Sequence, residues 1–106
     1  MTIHKIDDST YRQFIKEVPI AVIHFSATWS GDDDQMRERI QSAADEFGGR
    51  VNIGELDVDE NHRTAFELNI LTVPTVIYYR DGQIVEKVPG LAPNKNAAER
   101  IRSLLR

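Results

Sequence analysis

Ser30 and Asp33 are the pair in this chain whose types and spacing best fit chemistry. A serine hydroxyl with a carboxylate three residues on can act as nucleophile and base, provided the hydroxyl is activated, usually by an oriented histidine. The local sequence supplies neither condition. An enzyme built on Ser30, Asp33 and His24 requires His24 to reach the same groove. The same spacing also closes helices. Ser30 would accept a bond from a first-turn amide and Asp33 would reach back, a variant of the capping box worth about 1 kcal/mol. Capping is the expected role. Asp32, Asp33 and Asp34 then share a first turn, where the helix dipole favours negative charge. Successive helical residues splay about 100° apart, so the run does not converge on one ion. The spaced ligands of an EF-hand loop are absent. Asp57, Asp59 and Glu60 should end a strand at the same sheet edge, giving an acidic rim expected to be solvated. His4 and His62 lie near element ends, and three scattered histidines give no zinc spacing, so no metal site and no cofactor are expected. There is no cysteine among the 106 residues. Thiol–disulfide exchange needs a thiolate that attacks sulfur, so this chain cannot perform it.

The elements that would carry these residues follow from the apolar spacing. The length suits a single domain over 1–106. Hydrophobic residues at 41% suffice for a core, and 28% charged argues against disorder. A net charge of −4 gives no support to nucleic-acid binding and fits a basic partner. The amino terminus lacks a signal-peptide layout, no apolar run approaches the ~20 residues that span a bilayer, and the expected compartment is the cytoplasm. Thr2–Ile6 is a candidate strand. Asp7-Asp8-Ser9 offers capping groups to a helix carrying Tyr11, Phe14, Ile15 and Val18, stopped by Pro19. Ile20–Ala27 is nearly all apolar, as in a strand covered on both faces. Met36, Ile40, Ala43, Ala44 and Phe47 predict a helix over 32–47, ended by Gly48-Gly49. Val51–Val58 is the next strand, and strand–helix–strand implies a parallel pair with a right-handed crossover. A short helix is predicted over 61–68, strands over 75–79 and 84–88 about the Asp81-Gly82 hairpin, and a last helix from Ala97, Ala98, Ile101, Leu104 and Leu105. The expected fold is α/β, a mixed, mostly parallel central sheet with helices on both faces.

Several landmarks occur together and in order. Ala27-Thr28-Trp29 precedes Ser30-Gly31-Asp32-Asp33. Asp57-Val58-Asp59-Glu60-Asn61 forms a strand-to-helix corner. Val73-Pro74-Thr75, Asp81-Gly82 and Gly90 follow. In this pattern the chain resembles the thioredoxin family over nearly its whole length. There a Trp-Cys-Gly-Pro-Cys motif stands where Trp29, Ser30, Gly31, Asp32 and Asp33 stand here. The resemblance implies the thioredoxin fold and a cis-proline at Pro74 facing the degenerate active site. It does not carry the family's chemistry, which went with the cysteines.

The resemblance also implies site residues. The position of His24 holds a buried aspartate in thioredoxins, with a lysine from the neighbouring strand beside it. Here that neighbour is Glu55, so the expected buried polar pair is His24 with Glu55, either a satisfied core contact or a pH-responsive one. A peptide groove would be lined by Trp29, Thr72, Val73, Pro74, Thr75 and Gly90. The expected function is redox-inactive binding of a peptide or protein partner, basic in character, in a chaperone-like or adaptor role. Some hydrogenase-maturation chaperones resemble thioredoxin at fold level and lack the dithiol. The alternatives are a bare scaffold whose cysteines were lost or removed, and the non-redox enzyme using Ser30, Asp33 and His24. No nucleic-acid or membrane partner is expected.

Overall fold

The structure is a computed structural model that describes residues 3–106. Thr2, which opens the first predicted strand, lies outside the described residues. The elements run β1 (His4–Lys5), α1 (Tyr11–Phe14), β2 (Ile20–Ser26), α2 (Asp32–Phe47), β3 (Asn52–Asp57), α3 (His62–Glu67), β4 (Thr75–Arg80), β5 (Gln83–Pro89), a 3-10 turn (Ala92–Asn94) and α4 (Ala97–Leu104). The five strands form one sheet in the order β1-β3-β2-β4-β5. β1, β3 and β2 pair in parallel, β4 runs against β2, and β5 runs against β4. Four strands therefore point one way and β4 alone opposes them.

Strand periodicity explains the two layers. Successive side chains of a strand face opposite sides. Ile20 and Val22 of β2 join Met36, Ile40, Ala43, Phe47 and Ile101 in a core beneath α2 and α4. Ala21, Ile23 and Phe25 join Tyr11, Phe14, Leu56 and Tyr79 in a second core beneath α1. By the same parity His24 and Ser26 lie on the α2 side. Glu55 does too, two residues beyond Ile53, and it is the register partner of His24.

Two details differ from the sequence reading. α1 ends at Phe14, and Lys16 N–H turns to Gln13 O at 3.0 Å, so the helix never reaches Val18. Asp7 and Asp8 divide the capping work. Asp7 Oδ1 accepts the Ser9 and Thr10 amides at 2.8 and 3.0 Å. Asp8 Oδ1 instead accepts Thr64 N–H at 2.9 Å and closes the start of α3, held below its ordinary value by the Thr64 hydroxyl and amide. Asp81 (φ 52) and Gly82 (φ 80) give the two left-handed residues of a tight hairpin.

Candidate functional site

Register brings the site segments to one end of the sheet. Phe25 pairs with Thr75, and Thr75 pairs with Pro89. The chain beyond Ser26, the chain before Thr75 and the chain after Pro89 therefore leave the sheet together. Val58 N–H bonds Ser26 O at 2.9 Å and brings in the acidic corner after β3.

Asp33 is the centre of this end, and it does not cap α2. The helix starts after Gly31 with no side-chain cap, and Asp33 is 0% exposed. Its Oδ1 accepts His24 Nε2–H at 2.8 Å and its Oδ2 accepts Ala27 N–H at 3.0 Å. The expected capping box fails because its carboxylate is turned into the protein, where a buried histidine and a free amide both need an acceptor. Asp32 and Asp34 stay exposed, as the 100° splay requires.

The expected His24–Glu55 pair is present, with Nδ1 and Oε1 3.7 Å apart, although the hydrogen bonds of both residues run to other partners. His24 is 0% exposed, its Nδ1 has no hydrogen-bond partner, and Glu55 Oε1 lies 3.7 Å away. Glu55 retains 16% side-chain exposure and binds elsewhere. It accepts Ser26 Oγ–H at 2.8 Å and Arg37 Nε–H at 3.0 and 3.1 Å. Helix geometry supplies the reason. Asp33 and Arg37 are four residues apart and share one face of α2. That face lies over neighbouring strands carrying His24 and Glu55, and each helix residue takes one of them. The Glu55 hydrogen bond raises the Arg37 guanidinium above its ordinary value, and Arg37 Nη1–H also holds Asp34 at 3.0 Å. Sequence reasoning missed Arg37, although its spacing from Asp33 was the signal.

Ser30 is half-buried, and among the described residues its hydroxyl bonds neither His24 nor Asp33. A nucleophile, base and orienting acid are not assembled: the His24–Asp33 contact is sealed from solvent and already satisfied at Nε2. Among the described residues no group of three or more His, Asp or Glu side chains could hold a metal ion. Asp57 accepts the Asp59 amide at 2.8 Å, and Asp59 and Glu60 are exposed. His4 stacks edge-on to Phe14 at 5.7 Å, and His62 is exposed at the start of α3. A cleft of about 890 Å³ beside β3 is walled by both charges, among them Lys5, Arg37, Glu55, Asp57 and Glu60.

The groove segments have a different character. Trp29 is 71% exposed. The Val73–Pro74 bond is cis. Pro74 and Thr75 are buried, Val73 is half-buried and Thr72 is exposed. Thr75 Oγ1–H closes on Thr72 O at 2.6 Å, and Gly90 N–H closes on Pro74 O at 2.7 Å. Gly90 takes φ +96, a conformation that L side chains avoid. Between these two internal bonds, the Val73 N–H and C=O have no backbone partner among the described residues. The segment is thus rigidly tied on both sides and open at one residue.

The family comparison can be set on this geometry. The family described as thioredoxin matches residues 2–103. The chain belongs to the thioredoxin family. Thioredoxin of Staphylococcus saprophyticus is 36% identical over 105 residues, covering 99% of this chain and 100% of that one. The structure of mitochondrial thioredoxin 3 from Saccharomyces cerevisiae in its oxidized form has a TM-score of 0.85 at 28% identity, over 95% and 94% of the two chains. Thioredoxin of Malassezia sympodialis gives 0.85 at 27% identity, over 97% and 91%. Within this thioredoxin-family chain the first cysteine position is a half-buried serine, and the second is a carboxylate engaged with His24.

Proposed function

We propose that this chain is a redox-inactive thioredoxin-fold protein that binds an extended peptide or protein segment through the groove beside Trp29 and Pro74. The observation that carries the reading is the exposed Trp29, three residues beyond β2, leaving the same end of the sheet as the segment before Thr75, whose Val73 backbone groups are unspent. An incoming strand can add its own amide and carbonyl to such groups, and the apolar face of Trp29 covers one side of it. The absence of cysteine removes the reductase role and leaves binding as the use of that surface. A chaperone-like or adaptor role follows. The exposed Asp32 and Asp34 favour basic partners, and salt weakens exposed charge pairs, so the binding is salt-sensitive.

A cytoplasmic setting without a membrane partner belongs to the same proposal, and the acidic charge balance supports its having no nucleic-acid partner. Among the described residues no helix is long and apolar enough to cross a membrane. The test is an NMR titration of the isotope-labelled protein with a pool of basic, apolar-rich peptides. The proposal expects shifts confined to residues 29–34, 72–75 and 89–91. Shifts that map elsewhere, or none at any salt concentration, favour the bare scaffold, in which Pro74, Thr75 and Gly90 serve only the fold.

A further inference from the structure

His24 stands between two carboxylates that come from different elements. The ring is 0% exposed, and its Nε2–H reaches Asp33 Oδ1 on α2 at 2.8 Å. The other Asp33 oxygen accepts Ala27 N–H at 3.0 Å. Both Asp33 oxygens thus accept, and the proton of the ring belongs on Nε2. In the neutral imidazole Nδ1 is then a bare lone pair. It has no hydrogen-bond partner, and it faces Glu55 Oε1 on β3 at 3.7 Å, which is a second acceptor. Two acceptors thus confront each other in the interior. A proton on Nδ1 turns the same geometry into a charge-assisted contact.

The neighbouring elements offer Nδ1 no other partner. α2 brings Asp33 and Arg37, and Arg37 is held by Glu55 and Asp34. β3 brings Glu55, with half-buried Asp57 two residues on. On β1 the register partner of Glu55 is Lys5, which is exposed. On β4 the register partner of His24 is the apolar Val76, and Tyr78 beyond it turns its hydroxyl to Asn94 at 3.5 Å. Within Glu55, Oε2 accepts Ser26 Oγ–H at 2.8 Å and Arg37 Nε–H at 3.0 Å, whereas Oε1 accepts only Arg37 Nε–H at 3.1 Å. Oε1 can therefore take an Nδ1–H while Oε2 keeps both of its partners.

The carboxylates that flank the ring also hold the end of β2. Glu55 ties Ser26 and Asp33 ties Ala27, and Thr28 and the exposed Trp29 follow directly. We infer that His24 is a proton switch set between α2 and β3. One proton taken from solvent at Nδ1 draws Glu55 Oε1 onto the ring, and the change passes through Ser26 and Ala27 to Trp29. The way in is along Glu55, which keeps 16% of its side chain exposed. Any effect on peptide binding rests on the groove reading above, but the switch is read on the free protein.

The test follows the imidazole nitrogen resonances of the isotope-labelled protein, together with the emission of its single tryptophan, from about pH 4 to 9. His4 and His62 are exposed and serve as references. Nε2 should stay protonated throughout. Nδ1 should gain its proton in one step as pH falls, and Trp29 emission should change with the same midpoint. Glu55→Gln removes the facing carboxylate and should move the midpoint down by about one pH unit or more, about a tenfold loss in proton affinity. Arg37→Gln removes the cation beside Glu55 and should move it up, so the inference is still tested if one variant does not fold. A His24 ring that keeps one state over the whole range overturns the inference. So does a Glu55→Gln midpoint within about 0.3 unit of the parent, or a Trp29 response that persists in His24→Gln. A switch that passes these tests in a protein that binds no peptide leaves this inference standing and removes the groove reading. Peptide binding in the groove by a protein whose His24 never titrates does the reverse.

Discussion

Replacing Asp33 by alanine isolates the contact that most distinguishes this chain. The carboxylate is 0% exposed and accepts two bonds, from His24 Nε2–H at 2.8 Å and Ala27 N–H at 3.0 Å. Removing it strands both donors in the interior, each at about 1–3 kcal/mol. Breaking a buried pair from one side costs about 3–5 kcal/mol in general, in line with that sum. A domain of this size is stable by about 5–15 kcal/mol, so Asp33→Ala should lower the melting temperature by roughly 15–30 °C while leaving a folded protein. His24→Leu alone strands the carboxylate instead and should cost a similar amount. Urea denaturation followed by far-UV circular dichroism measures both, together with the His24→Leu/Asp33→Ala double variant. The double variant should be more stable than the sum of the singles implies, by about 1–3 kcal/mol. The same cycle between His24→Leu and Glu55→Gln should show less coupling, because Glu55 stands 3.7 Å from Nδ1 and keeps Ser26. If His24 and Asp33 changes add within about 0.5 kcal/mol, or if Glu55 couples more strongly than Asp33, the reasoning fails.

Two further predictions use other parts of the fold. The Thr64 hydroxyl and amide depress the Asp8 carboxyl below its ordinary 3.8, so its contribution exists above that value and is lost as pH falls through the lowered one. The stability gap between parent and Asp8→Asn should be constant above about pH 5 and narrow steadily as the pH falls below 3.8, read from urea midpoints; a gap that does not narrow in acid counts against it. Gly90→Ala has room, since its Cβ would meet Pro93 at 3.5 Å, yet φ +96 should make it about 1–2 kcal/mol less stable, and a variant as stable as the parent would contradict the backbone account.

The sheet and its covering helices were legible because their signals are local. The apolar spacing placed α2 over 32–47, where it lies, and Asp81-Gly82 marked the hairpin. Runs without alternation, such as Ile20–Ala27, marked a strand buried on both faces, and all seven residues of β2 (Ile20–Ser26) are buried. The end of α1 was less legible. Tyr11, Phe14, Ile15 and Val18 keep helical spacing, but the chain leaves the helix after Phe14 to reach Pro19, whose carbonyl accepts Asp81 N–H at 2.8 Å. That contact joins residues 62 positions apart and has no local trace. Phe66 and Leu71 were not separable from core residues for the same reason: Leu68 and Ile70 beside them do go inside.

The role of Asp33 was present in the sequence but masked by a stronger local pattern. Ser30 and Asp33 have capping-box spacing, and three aspartates in a first turn look like dipole complements. The same residue also continues the buried stripe of α2. Asp33, Met36, Ile40, the adjacent Ala43 and Ala44, and Phe47 form one stripe at three- and four-residue steps, and all are buried. Asp32 and Asp34 fall off that stripe and are exposed. A carboxylate on a core stripe must find donors, since burying it unpaired costs far more than any cap returns. The sheet beneath offers His24, and Arg37 one turn later takes the hydrogen bonds of Glu55, whose carboxylate stands 3.7 Å from the other ring nitrogen of His24. The position where the family keeps its second cysteine is thereby used as an anchor between helix and sheet, and its neighbours Trp29 and Asp32 are left exposed.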